Sequence, residues 1–121
     1  MLLERRRFER FKTAIDVEYE VPQCSIEGTS LTKDISISGI SLPTSMKIDE
    51  GEKLELRIKL PRDSNPIYAS AEVVWTQPSK SESDHDLGLK FIRINDLDKS
   101  RILEYIYNEW LKEKKGSIFA K

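Results

Sequence analysis

Leu54-Glu55-Leu56-Arg57-Ile58-Lys59-Leu60 sets an aliphatic side chain at every second position and a charged one between. Successive side chains of an extended chain point to opposite faces, so this alternation predicts a strand with one buried and one wet face. A strand charged along one side belongs to an antiparallel sheet with a solvated face, because buried parallel strands read as continuous apolar runs. Asp49-Glu50-Gly51 before it, and Pro61 with Asp63-Ser64-Asn65-Pro66 after it, supply the turns.

The same period recurs on both sides. Towards the N-terminus, Ile15, Val17, Tyr19 and Val21 alternate with Asp16, Glu18 and Glu20 over Ala14–Val21. Pro22 and Gln23 then break the run, and Ser25–Thr32 is expected to return as its partner, with Ile26 and Leu31 as core positions. Ile35, Ile37, Ile40 and Leu42 flank Gly39, which suggests a strand bent by a bulge or tight turn and closed by Pro43. Towards the C-terminus, Ile67, Ala69, Ala71, Val73 and Trp75 alternate. A polar loop from Pro78 to Asp86 leads to Leu87, Leu89 and Phe91. Short two-faced strands at this spacing predict an antiparallel barrel or sandwich.

The period changes after Asn95. Ile102, Leu103, Ile106 and Trp110, with Leu97, form one apolar stripe at helical spacing, and Asn95 or Asp96 can cap the start. Lys112, Lys114 and Lys115 complement the helix dipole, and Gly116 is a natural stop. The helix is expected to dock on the barrel and cover an open end.

One domain is expected from 121 residues of which 38% are hydrophobic and 34% charged. The net charge of −1 gives no overall pull towards nucleic acid or an anionic membrane. The charge is unevenly placed, however. Residues 1–12 hold Arg5, Arg6, Arg7, Arg10 and Lys12 against Glu4 and Glu9, a net +3 that leaves −4 for the remainder. Cys24 is the only cysteine, which rules out an intrachain disulfide, fits a reducing compartment and reads by default as a structural thiol. No apolar run approaches the ~20 residues of a membrane span. A cytoplasmic location and no membrane insertion are therefore expected.

The residues for catalysis are sparse. His85 is the only histidine and lies in the polar stretch Ser81-Glu82-Ser83-Asp84-His85-Asp86, without a second histidine or a cysteine at metal spacing. Cys24 and His85 lack a recognisable nucleophile context. No catalytic residue, metal site or cofactor is expected, and the chain is read as a binding protein, not an enzyme.

Two short motifs remain. Arg6-Arg7-Phe8-Glu9-Arg10 places two arginines four apart ahead of the first strand, and Asp34-Ile35-Ser36-Ile37-Ser38-Gly39 alternates polar and apolar side chains, so that Asp34, Ser36 and Ser38 are expected on one face. Either alone could be a solvated basic arm or a capped turn. Together they suit an anionic guanine nucleotide: guanidinium groups fork onto phosphate oxygens and the guanine O6/N7 edge and stack on purines. A carboxylate accepts from guanine donors or holds an arginine, and a serine hydroxyl donates to phosphate. Gly39 would let the chain turn close to a ligand. An acidic remainder and the lack of an aromatic platform argue against a nucleic-acid binder.

In this order the residues resemble the PilZ domain, whose pattern is Arg-x-x-x-Arg on an N-terminal segment followed by Asp/Asn-x-Ser-x-x-Gly on a barrel. The resemblance continues through Gly51-Glu52-Lys53-Leu54, Ala71-Glu72-Val73-Val74-Trp75 and Leu87-Gly88-Leu89-Lys90-Phe91, and covers roughly Arg5 to Asn95. It implies a mainly β, six-stranded antiparallel barrel with a C-terminal α-helix that binds the bacterial second messenger cyclic di-GMP. Arg6 and Arg10 are then the arm ligands, Arg7 a helper, and Asp34, Ser36 and Gly39 the barrel half of the site. In the family an arginine at the position of Arg5 goes with two stacked ligand molecules. The expected division is an arginine-rich arm over 1–12, disordered until ligand arrives, a barrel over 13–95, a helix over 96–116 and a loose tail over 117–121. Two functions follow: a cyclic di-GMP receptor that changes shape to regulate an unidentified protein, or a nucleotide-independent adaptor.

Overall fold

The computed structural model describes residues 10–80 and 84–119, and for 115–119 the backbone only. Within these residues the chain forms eight strands and one helix: β1 (Phe11–Lys12), β2 (Asp16–Val21), β3 (Ile26–Leu31), β4 (Asp34–Ile35), β5 (Gly39–Thr44), β6 (Lys53–Lys59), β7 (Ile67–Pro78), β8 (His85–Ile94) and α1 (Asp96–Phe119). All strands join one antiparallel sheet in the order β1-β4-β5-β8-β7-β6-β2-β3.

Six strands were expected and eight are found. The two additional ones, β1 and β4, are two residues each and pair with one another, Phe11 opposite Ile35 and Lys12 opposite Asp34. A two-residue strand carries no readable period, which is why the pattern missed them. The sheet therefore begins at Phe11, within the segment expected to be a free arm.

The alternations hold where they were strongest. Leu54, Leu56, Ile58 and Leu60 are buried, as are Ile15, Val17, Tyr19, Val21, Ile67, Ala69, Ala71 and Val73. The sheet curls around this core. Its two flanks are drawn together by the Ser30 hydroxyl of β3, which donates to the Pro43 carbonyl of β5 at 2.6 Å. Pro43 does not end β5 but lies inside it, opposite Asp86. The Lys33 amide meets the Ser41 carbonyl at 2.8 Å, so the same side of Pro43, two residues on, faces beyond the end of β4, where no ladder amide is needed.

Three apolar positions depart from expectation. Leu31 is 52% exposed; Thr32 turns inward instead, its hydroxyl accepting from the Ile15 amide at 2.9 Å and donating to the Thr13 carbonyl at 2.5 Å. Leu97 is 75% exposed, because the helix enters the core through Ile102 and Ile106, with Tyr105 packed against it. Cys24 is exposed in the β2–β3 turn, where Ser25 takes a positive φ of 52°, so it is not a core thiol.

The Asn95 side chain caps α1 by accepting from the Leu97 amide at 2.7 Å. The helix is held on the barrel by Arg101, which donates to Asp63 at 2.6 Å and to the Asn65 carbonyl, and by Tyr105, whose hydroxyl lies 2.8 Å from that of Thr13. It runs to Phe119, past Gly116. A glycine inside a helix costs only about 1 kcal/mol relative to alanine, which does not suffice to stop it.

Candidate ligand site

The two motifs meet through β1 and β4. Antiparallel pairing of Lys12 with Asp34 puts Arg10, two residues earlier, diagonally across from Asp34 on the outer face. The Arg10 guanidinium donates from Nη1 to Asp34 Oδ1 at 2.8 Å. Both side chains stay within reach of solvent, 37% and 23% exposed. Arg5, Arg6 and Arg7 lie outside the described residues, so Arg10 is the member of the arm whose position is given.

Asp34, Ser36 and Ser38 do not share a strand face. β4 ends at Ile35, and Ser36 begins a turn in which its own amide donates to the Gly39 carbonyl at 2.9 Å. The Ser36 hydroxyl folds into that turn, accepting from the Ser38 amide at 3.1 Å and lying 2.8 Å from the Ser38 hydroxyl. A serine side chain that serves its neighbours' amides competes with the ladder, and this interrupts the alternation. Ser36 is fully buried, whereas Ser38 faces solvent with its carbonyl fixed by the Phe91 amide at 2.9 Å.

Gly39 has no positive φ and does not make the turn. It lies buried against β8, where an added Cβ would fall 1.9 Å from the Leu89 carbonyl oxygen. Its requirement is for close backbone approach, which brings β5 and β8 together beneath the site. Core residues Ile35, Ile40 and Leu89 fix the outer face by elimination: Asp34, Ser41, Gly88 and Trp75 stand side by side on it in consecutive strands. Ser41 and Gly88 are small and buried, and Trp75 lies over Gly88, its indole so close that a Cβ there would fall 2.1 Å from the ring.

Lys33 and Asp86 flank the same face. Lys33 Nζ donates to Asp86 Oδ2 at 2.6 Å, while Asp86 Oδ1 is buried without a partner in the structure. Sequence reasoning missed Trp75, Lys33 and Asp86 as neighbours of the motif. The spacing of Trp75 and Gly88 carries no signal until β7 and β8 are placed in register. His85 sits at the start of β8, half-buried. Among the described residues no group of three or more His, Cys, Asp or Glu could hold a metal ion, and no helix is long and apolar enough to cross a membrane.

Comparison of the fold with solved structures finds the Bacillus subtilis inhibitor of motility MotI/DgrA at a TM-score of 0.75 and 24% identity, covering 89% of this chain and 52% of that one. The PilZ domain of YcgR from Escherichia coli, solved with c-di-GMP, matches at a TM-score of 0.71 and 11% identity over 95% of this chain and 98% of that one. The K. pneumonia MrkH–c-di-GMP complex matches at 0.69 and 20% over 92% and 55%. At these identities the likeness is one of fold, and the chain spans about half the length of MotI/DgrA and MrkH. No curated protein matches the chain. The model of the PilZ domain family matches residues 4–108, from the arginine arm through the docked part of the helix, and the chain belongs to the PilZ domain family.

Proposed function

We propose that this chain is a cyclic di-GMP receptor in which Arg10 exchanges Asp34 for ligand phosphate and Asp34, once freed, accepts from guanine. The observation that carries the reading is the 2.8 Å contact between Arg10 and Asp34, which joins the two motifs. An exposed ion pair of this kind is worth about 0–1 kcal/mol, so breaking it costs little. Roughly three or four charge-assisted hydrogen bonds to a bound dinucleotide, at ~1.5–3 kcal/mol each, exceed that cost together with the ~0.5–1.5 kcal/mol of ordering per side chain.

In this reading Arg5, Arg6 and Arg7 supply further guanidinium groups from the arm, in roles that rest on the family resemblance. On the barrel, Gly39 acts by letting β5 approach β8. Ser36 shapes the turn by holding the Ser38 amide and hydroxyl. Trp75 offers an aromatic surface on the same face as Asp34. Solved structures of similar fold with bound c-di-GMP, those of YcgR and MrkH, add support. The chain would act by binding, with no cofactor and no catalytic step, and pass a change of shape to a protein partner.

Calorimetry with cyclic di-GMP tests this. Heat with low-micromolar or tighter affinity, lost in Arg6→Ala/Arg10→Ala, is the expected result. No heat with the wild type would sink the receptor reading and leave the nucleotide-independent adaptor. Equal displacement by GMP would point to general nucleotide affinity instead.

A further inference from the structure

Beside the Ser36–Gly39 turn lies a concavity that the receptor reading does not use. It is a cleft of about 500 Å³ between the turn, the end of β8 and the start of α1, lined by Ile37, Ser38, Lys90, Phe91, Ile92, Arg93, Ile94 and Lys99. Three of these eight are cations, and none is an acid.

The cations are gathered there by an irregularity in β8. Ala71 pairs with Phe91, but Ser70 pairs with Arg93, so Ile92 is an extra residue in the ladder. Strict alternation would send Arg93 inward after the outward Lys90 and Ile92. The bulge keeps Arg93 on the outer side, and bulges recur where a side chain is re-aimed towards a site. Lys99, in the first turns of α1, closes the cleft from the helix side.

Nearby acids among the described residues form no ion pair with these cations. Glu72 lies opposite Lys90 in the ladder without forming an ion pair, and Asp98 is bound to Arg101 at 2.9 Å. Among the described residues Lys90, Arg93 and Lys99 form no ion pair, although the whole chain carries a net charge of −1. Like charges held together in a concavity repel one another and concentrate a positive potential that an anion relieves. Ile37, Ile92 and Ile94 give the same cleft apolar walls, and Ile92 is 49% exposed. Apolar walls beside convergent polar groups are what a small-molecule site needs.

We propose that this cleft is an anion site distinct from the arginine-arm site, taking a nucleoside triphosphate: its phosphates on Lys90, Arg93, Lys99 and the Ser38 hydroxyl, its nucleoside against the isoleucines. Three cations offset most of a triphosphate's negative charge, and the isoleucines distinguish a nucleotide from an inorganic triphosphate.

The test is calorimetry of the full chain with GTP, ATP and inorganic tripolyphosphate at low salt, together with mapping of backbone amide shifts. The expected result is binding of at least one nucleotide about tenfold tighter than tripolyphosphate. Affinity should fall at least tenfold in Lys90→Gln/Arg93→Gln/Lys99→Gln, with shifts centred on Ser38, Lys90, Arg93 and Lys99. The three side chains form no ion pairs, so the variant should keep the wild-type melting temperature; if it does not fold, the shift map of the wild type decides alone. Tripolyphosphate binding as tightly as both nucleotides would overturn the nucleotide assignment. No binding of any probe, or shifts centred on Arg10 and Asp34, would overturn the site.

Discussion

The hydroxyls of Thr13 and Tyr105 lie 2.8 Å apart, joining the segment just after β1 to the middle of α1 across a separation of 92 residues. Thr13 also offers its carbonyl to the Thr32 hydroxyl, and its amide reaches the Lys33 carbonyl at 3.3 Å, one residue before Asp34. The end of the arm, the start of the Asp34 motif and the helix therefore share one residue. Removing the bond with Tyr105→Phe should cost about 1 kcal/mol, lowering the melting temperature by roughly 4 °C for a domain of this size. A thermal unfolding scan reads this directly.

Arg10→Ala should separate binding from stability. Its ion pair with Asp34 is exposed, so unfolding should move by less than about 1 kcal/mol. Cyclic di-GMP affinity should nevertheless drop by tenfold or more. Denaturant titration alongside calorimetry gives both numbers, and a large stability loss would show that the contact is structural.

Gly39→Ala should behave in the opposite way. Its Cβ would fall 1.9 Å from the Leu89 carbonyl, and backbone cannot give way as a flexible side chain can. Overpacking typically costs about 1–3 kcal/mol, and a clash with backbone belongs at or above the top of that range. Urea unfolding should show the loss with or without ligand.

Acid should weaken the link between helix and barrel. The hydrogen bond from Arg101, and then the Asn65 amide, hold the Asp63 carboxyl below its ordinary value of 3.8. A carboxyl depressed in the folded chain contributes fully above its unfolded value, and the contribution is lost as pH falls through the folded one. The stability difference between wild type and Arg101→Gln should thus be constant above about pH 5 and shrink below pH 3.8. Denaturant midpoints measured across that range check it.

The long strands and the helix were legible because their alternation is a property of neighbouring residues. Leu54 to Leu60 needs no distant partner to be read as a strand. The site was legible only in part. Arg10 and Asp34 were named from their motifs, but their contact depends on two strands too short to have a period. Gly39 looked like a turn residue because local sequence cannot report that the Leu89 carbonyl lies against it. Leu31 and Leu97 looked like core because apolar character was the only cue, while Thr32 took the inward place through hydrogen bonds that composition does not encode. The bulge at Ile92 was invisible for the same reason: the register of β8 is set by β7.

The closure of the sheet by the Ser30 hydroxyl, with no ladder between β3 and β5, sets where the barrel breathes. β8 has a strand on either side, and its amides should exchange with solvent only when the whole domain opens. β3 is paired along β2 alone, and its free edge can part from β5 by giving up a side-chain contact. Deuterium uptake should therefore run from a fast seam at β3 to a slow centre at β8, so that the strand beneath the Asp34–Trp75 face is the last part of the molecule to loosen.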